Sequence, residues 1–396
     1  MKKIIGAILL ALICCAQIAL ADSNFSGIGK LVFVIKRESE KVAVVDLETL
    51  AVIKQIPLSG NLRHASMVFD PALTYAYVAT RNGRLARIHL PTLENHGSLK
   101  TSNNSIGLAI SQDGKTVAVA DYQPGGITLV DTKTFKVIKR IPAEVEVKHQ
   151  KILSRVTGLV DGPNNTFICG LMDANEIWLL AQNKKGIYEI KKRYAAATMN
   201  PFDGFVTPEG RYYVAGHFNS DKISLIDFWE ESEKAKSIVV DPHKSPNLPP
   251  VKMPHMEAWA VADNQIFVPR AGTNKISILT GDDFHFAGEI NLLGDPVYAV
   301  VHPNHRQLWV TFSGDEVDGK IQVIDTKTKQ TISVIDAGKR IYHLVFTPRG
   351  DQALVSSNET NELLAIDANT LKIIKRTRIK SPSGIFGVWR AFQIGL

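Results

Sequence analysis

The chain has little sulfur chemistry to offer. It holds 3 cysteines among 396 residues. Two of them, Cys14 and Cys15, lie in an apolar leader, so a processed chain keeps Cys169 alone and can form no internal disulfide. There is no Cys-x-x-Cys-His for covalent haem attachment, no phosphate-binding Walker loop and no glycine-rich dinucleotide fingerprint. Basic residues do not run together with aromatic stacking positions, which argues against nucleic acid as a partner. After the leader no stretch is long and apolar enough to span a bilayer. Stability must therefore come from a large buried core, which a single closed domain of this length can supply.

The leader has the form of a secretory signal. Lys2 and Lys3 precede an apolar run from Ile4 to Leu20, and Ala19-Leu20-Ala21 suits cleavage, giving a signal peptide at 1–21 and a folded domain at 22–396. The expected location is the periplasm. Leu12-Ile13 before the two cysteines is a poor context for lipid attachment, so a soluble form is favoured over a tethered one. The formal charge is +7, or +5 without Lys2 and Lys3, which modestly favours acidic small ligands. Cys169 reads as a buried apolar residue on a strand, a thiolate role being the weaker alternative.

What the sequence does have is a repeated phrase. Residues 42–57 (VAVVDLETLAVIKQIP) return as 127–142, 321–335 and 363–379, with looser copies beginning at Leu85, Ile177, Ile223 and Ile276. Each copy is an apolar run, an Asp-x-x-Thr turn and a second alternating run, which is the pattern of a hairpin. The turn aspartates Asp46, Asp131, Asp227, Asp325 and Asp367 are spaced by 85, 96, 98 and 42 residues. With the looser copies between them the period falls in the forties. A second strand–turn–strand element, as in residues 64–81 and 105–121, precedes most copies. Four strands per unit at this period point to propeller blades. The reading is an all-β, eight-bladed β-propeller. Residues 31–36 sit where a second strand belongs, and their blade lacks a first. Residues 384–392 (GIFGVWRAF) would supply it and close the ring, removing an open sheet edge.

In such a ring the innermost strands line a central channel. Their starts fall near His64, Ser105, Arg155, Phe202, His255, Asp295 and Tyr342, at one mouth. The loops there are long and basic, with Arg63, Lys148, Lys151, Lys244, Lys252, Lys339, Arg340 and Lys380 outnumbering Glu144, Glu146, Asp241 and Asp336. This charge suits a polycarboxylate, or else is a solvated rim. Residues 241–254 (DPHKSPNLPPVKMP) form a candidate lid stiffened by prolines. His64 and His255 read either as metal or haem ligands or as satisfied structural histidines. His302, in a His-Pro-Asn turn at the far end, and Asp161 read as structural.

Several segments taken in order resemble a known family. They are Arg63-His64, residues 75–88 (YAYVATRNGRLARI), Asp121-Tyr122-Gln123-Pro124-Gly125-Gly126, Phe202-Asp203-Gly204, Pro254-His255-Met256-Glu257 and residues 381–386 (SPSGIF). Together they resemble the NirF family of haem d1 biosynthesis and, more distantly, the haem d1 propeller of dissimilatory nitrite reductase and of NirN. The resemblance implies a propeller that holds haem d1, or an iron-bearing precursor of it, non-covalently at its mouth. His64 matches the proximal iron ligand of the reductase, and Arg81 an arginine on its haem side. His255 matches one of two distal histidines there; Phe202 occupies the other place, which removes a proton donor and speaks against nitrite reduction. Without a c-type haem the chain also departs from both multidomain relatives.

The expected function is binding of an iron tetrapyrrole precursor and modification, such as dehydrogenation, of a porphyrin side chain. His64 would ligate iron. Arg63, Arg81 and Arg155 would pair with carboxylates, for which the planar guanidinium is suited. His255, Asp203 and Tyr342 would transfer protons. Nitrite reductase and other haem d1 assembly proteins are the expected protein partners. A non-catalytic precursor carrier and a protein-interaction scaffold are the alternatives.

Overall fold

The computed structural model describes residues 27–218, 220–242 and 260–395. The signal segment, His255 and most of the candidate lid lie outside them. The described chain forms eight four-stranded antiparallel sheets and one separate two-stranded hairpin. The sheets are the blades of a propeller. In each the strands run outward from the channel in the order A, B, C, D.

Blade 1 is the expected composite. Leu31–Lys36, Lys41–Asp46 and Val52–Pro57 are its strands B to D, and Pro382–Gly387 pairs with Leu31–Lys36 as strand A. The strand from the C-terminal part is shorter than residues 384–392 suggested. At Val388 the chain leaves it and makes a 3₁₀ turn, Val388–Phe392.

Burial follows position in the blade. Leu31–Lys36 is buried at all six positions, because inner strands are covered by a neighbouring blade on each face. The outermost strand Lys372–Arg378 has no buried residue. Inner strands therefore read as continuous apolar runs and outer strands as polar ones, as two-sided burial requires. Trp178, Trp309, Phe33, Phe69 and Phe167 are among the largest fully buried side chains. Each such residue contributes about 1.5–3 kcal/mol, so the core needs no disulfide. Cys169 is one of these buried groups, and burial pushes its thiol up to about 12, so it stays protonated.

The Asp-x-x-Thr repeat makes the C–D turns. Asp131 Oδ1 accepts from Thr134 N at 2.6 Å and Thr134 Oγ1 at 2.7 Å. Asp46, Asp325 and Asp367 accept from the equivalent amides at 2.9, 2.8 and 2.7 Å. The residue after each turn, Leu50, Phe135, Lys329 or Leu371, has φ between 53° and 62°. That left-handed conformation is unfavourable for a side-chain-bearing residue, and the aspartate's bonds hold it in place. Asp131→Ala should lower the unfolding free energy by about 1 kcal/mol in urea titration, with Asp131→Asn costing less because it keeps an acceptor.

A second repeated device pins blade to blade. Near the start of strand C, at its third or fourth residue, a buried hydroxyl bonds the connection from the preceding blade. Thr128 Oγ1 donates to Thr101 O at 3.3 Å, Ser224 Oγ accepts from Ala197 N at 2.8 Å, and Ser277 Oγ donates to Val240 O. Each hydroxyl also meets a polar side chain seven residues earlier, Asp121, His217 or Arg270. These pairs recur because a buried backbone group must find a partner.

Candidate functional site

The strand A starts converge at one mouth, and the A–B and C–D turns lie at the other. A cavity of about 440 Å³ opens inside the first mouth. Seven of the eight inner strands contribute to its wall, blade 6 being the exception among the described residues. His64, Phe202, Asp203 and Tyr342 all line it. Four of the residues expected at the mouth therefore share one cavity. His255 lies outside the described residues.

The inner strands are not regular at this level. Their pairing with strand B slips between Ser105 and Leu108, Thr157 and Val160, Pro201 and Gly204, Pro296 and Tyr298, and Ile341 and His343. Such bulges turn consecutive residues toward one side. Gly107 with Leu108, and Tyr342 with His343, therefore both face the cavity. Gly158 and Gly204 let blades 4 and 5 approach here. A Cβ on Gly158, whose φ is +54°, would sit 2.8 Å from Gly204 N, and one on Gly204 would sit 2.3 Å from Tyr213 Oη.

His64 is exposed at the mouth and holds φ at +58°. Histidine visits this region more readily than most residues, but at a cost, and strain of this kind gathers at functional positions. Beside it Arg63 Nη2 is 2.9 Å from Glu38 Oε2, and this guanidinium holds the Glu38 carboxyl below its usual range. Arg37 lies over the Tyr342 ring at 4.9 Å and lines the cavity. Phe202 packs against Phe218 with centroids 4.2 Å apart and ring planes tilted by 54°.

Arg81 and Arg155 do not line the cavity. They flank the ring of Tyr122, at 5.2 and 5.9 Å. Burial pushes the Tyr122 phenol up to about 12, and the charge of Asp203 adds to the shift, so Tyr122 stays protonated and neutral. The two arginines differ. Arg155 is held by Asp173, with Nε 2.9 Å from Oδ2 and Nη2 against Oδ1, and Asp173 also accepts the Arg155 amide at 2.9 Å. Arg81 carries a buried Nη1 with no hydrogen-bond partner among the described residues. An orphaned buried guanidinium N–H is expensive unless an anion meets it. Of the three arginines expected to bind carboxylates, Arg81 is the one whose surroundings call for one.

Sequence reasoning missed four contributors: Arg37, Tyr122, Tyr298 and His343. Tyr122 stood inside a quoted motif, but its role depends on arginines from two other blades. His343 is buried; its Nδ1 accepts from Ile385 N at 2.9 Å and its Nε2 lies 2.8 Å from Tyr298 Oη. That bond assigns the neutral ring a proton on Nε2, donated to Tyr298. Strict alternation along the strand would have turned one of Tyr342 and His343 away, and the bulge overrides it. His302 and Asp161 are at the far mouth; His302 Nε2 bonds Gly350 O at 2.6 Å and Asp161 accepts from Gly395 N at 2.9 Å. No group of three or more His, Cys, Asp or Glu able to hold a metal occurs among the described residues. No helix among them is long and apolar enough to cross a membrane.

Comparison with known proteins agrees with this architecture. The sequence model of the cytochrome D1 heme domain matches residues 26–391. Protein NirF of Stutzerimonas stutzeri is 36% identical over 380 residues, covering 96% of each chain. Protein NirF of Pseudomonas aeruginosa is 36% identical over 371 residues, covering 93% of this chain and 94% of that one. Dihydro-heme d1 dehydrogenase of Pseudomonas aeruginosa is 25% identical over 370 residues, 90% of this chain and 71% of its own. The solved dihydro-heme d1 dehydrogenase NirN in complex with DHE superposes with a TM-score of 0.77 at 23% identity, over 91% of this chain and 76% of that one, and shares the fold. On sequence, architecture and extent of match, the chain belongs to the cytochrome D1 heme domain family and stands within it beside the NirF proteins.

Proposed function

We propose that the chain serves haem d1 biosynthesis by binding an iron tetrapyrrole precursor at the channel mouth. The orphaned Nη1 of Arg81, at the same mouth as the cavity with a histidine at its rim, carries this reading. The residues fit such a ligand. Apolar walls from Met67, Leu108, Leu159 and Phe205 suit the macrocycle, His64 offers an imidazole to iron, and Arg81 offers a fork to an acidic side chain. The relatives named NirF, and the solved NirN complex with its ligand DHE, support the same class of ligand.

Asp203 and Tyr342 line the same cavity and would hold or move protons at a tetrapyrrole side chain. A side-chain dehydrogenation there removes two hydrogens and needs an external two-electron acceptor. The carrier alternative uses the same pocket without that step. We assign the chain to the periplasm on its leader, with residues 1–21 removed on export; the intact mass of the exported protein should be that of 22–396.

The experiment is a titration with haem d1 followed by incubation with its precursor. A shifted Soret band with saturation is expected, and no spectral change at any concentration would end the binding reading. With precursor and an electron acceptor, a mass loss of two hydrogens supports the enzyme, whereas an unchanged mass supports the carrier.

A further inference from the structure

The channel has a floor. Beyond Pro382–Gly387 the chain turns through Val388–Phe392 and passes beneath the ring. It is fastened on the opposite side. Gly395 N donates to Asp161 Oδ1 at 2.9 Å, at the end of the blade 4 inner strand. Val206 N, at the end of the blade 5 inner strand, donates to Gly395 O at 3.4 Å. Gly395 has φ +77°, and a Cβ there would sit 2.3 Å from Val206 Cβ, so this crossing requires glycine.

Arg390 is carried on this strap. It lines the upper cavity and also a lower one of about 280 Å³ that opens at the far mouth, so it forms the partition between them. Its guanidinium lies over the Phe386 ring at 5.2 Å, which fixes the group toward the channel axis. Arg63, Arg155 and Arg211 each have a carboxylate within 3 Å. Among the described residues none lies within ion-pairing distance of Arg390. Half-buried among apolar walls, an unpaired cation attracts an anion more strongly than an exposed one would. Asp203, the acid of the upper wall, opposes an anion at its own level and leaves the floor as the favourable place.

We infer that Arg390 is a specificity residue that receives, at the channel floor, a carboxylate of the bound tetrapyrrole. This rests on the proposed binding function and adds to it an orientation: the ligand presents an acid-bearing edge down the channel. No bond is made or broken. The residue binds and orients.

The test uses iron protoporphyrin IX, which carries two propionates, and its dimethyl ester. Dissociation constants come from Soret titration of the wild-type chain, Arg390→Met and Arg390→Lys. Methionine keeps an aliphatic stem against Phe386, and melting temperatures confirm that each variant is folded. The wild-type chain should prefer the acid over the ester by about tenfold or more, from one charge-assisted pair. Arg390→Met should reduce that preference about tenfold, and Arg390→Lys should retain most of it. A preference unchanged in Arg390→Met overturns the role of Arg390 while leaving the pocket intact. Failure of the wild-type chain to bind either porphyrin overturns the pocket, and this inference with it.

Discussion

His64→Ala should bind iron tetrapyrroles at least about tenfold more weakly than the wild-type chain, a loss of about 1.4 kcal/mol or more, and should lose the Soret signature of an imidazole-bound iron. The imidazole stands at the rim of the cavity that seven of the inner strands line, and its backbone is strained. Metal-free protoporphyrin supplies the control. It should bind both proteins alike, because it offers nothing for the imidazole to ligate. Identical Soret maxima for His64→Ala and wild type with the iron form would place the metal on another group. The strain gives a second readout. Glycine accepts φ +58° at no steric cost, so His64→Gly should be more stable than His64→Ala by about 1 kcal/mol, with equally weak binding. Equal stability of the two variants would show that the left-handed backbone at His64 carries no cost.

The second large effect concerns acid stability. Asp121 and His217 occupy the same place in blades 3 and 5, each bonded to a pinning hydroxyl, Thr128 and Ser224. Burial pushes the Asp121 carboxyl up to about 6, opposed by the Thr128 hydroxyl. Burial pushes His217 down to about 4, opposed by the carbonyl of Met199. The neutral ring donates from Nδ1 to Met199 O and accepts on Nε2 from Ser224, whose oxygen accepts from Ala197 N.

The signs are opposite. Unfolded, a histidine takes its proton near 6.5, whereas folded His217 resists until about 4. The unfolded state therefore binds more protons in that window, and stability falls as pH drops from 6.5 to 4. An aspartate ionises near 3.8 when unfolded, whereas folded Asp121 keeps its proton up to about 6. Stability therefore rises as pH drops from 6 to 4. Each effect is about 3 kcal/mol at most. In the wild-type chain the two largely offset each other, and acid unfolding should wait until the turn aspartates, whose carboxyls are held below their usual range, protonate under pH 4. Asp121→Asn should gain about 2 kcal/mol at pH 7.5 and lose it on going to pH 4.5. His217→Gln should instead grow more stable over the same interval. Urea titrations at the two pH values decide the matter; parallel behaviour of the two variants would refute the compensation.

The ring was legible in the sequence because its cause is local and repeated. An aspartate that bonds amides two and three residues ahead leaves the same mark at Asp46, Asp131, Asp325 and Asp367, whatever surrounds it. The closing strand was legible because Leu31–Lys36 begins the register without an inner partner. The hairpin Glu144–Val147 with Gln150–Leu153 was read as a loop, since charge alternates with valine over only four residues on the first side and does not alternate on the second. The site was half legible. His64, Phe202, Asp203 and Tyr342 sit at strand starts, which a repeat alignment can find. Tyr122, Arg390 and the difference between Arg81 and Arg155 depend on which distant side chain stands opposite, and no periodicity records that. Asp173, which occupies Arg155, is the plainest case.

The composite first blade sets an order of events. Ile35 and Ser383, bonded across it, are 348 residues apart. Contacts of such separation are the slowest to form. Three strands of this blade must stay unfinished until nearly everything else has been synthesised, and the strap that becomes the channel floor arrives later still. A ligand gripping both rim and floor would hold the seam closed from inside. Tetrapyrrole binding should then slow unfolding far more than it speeds refolding.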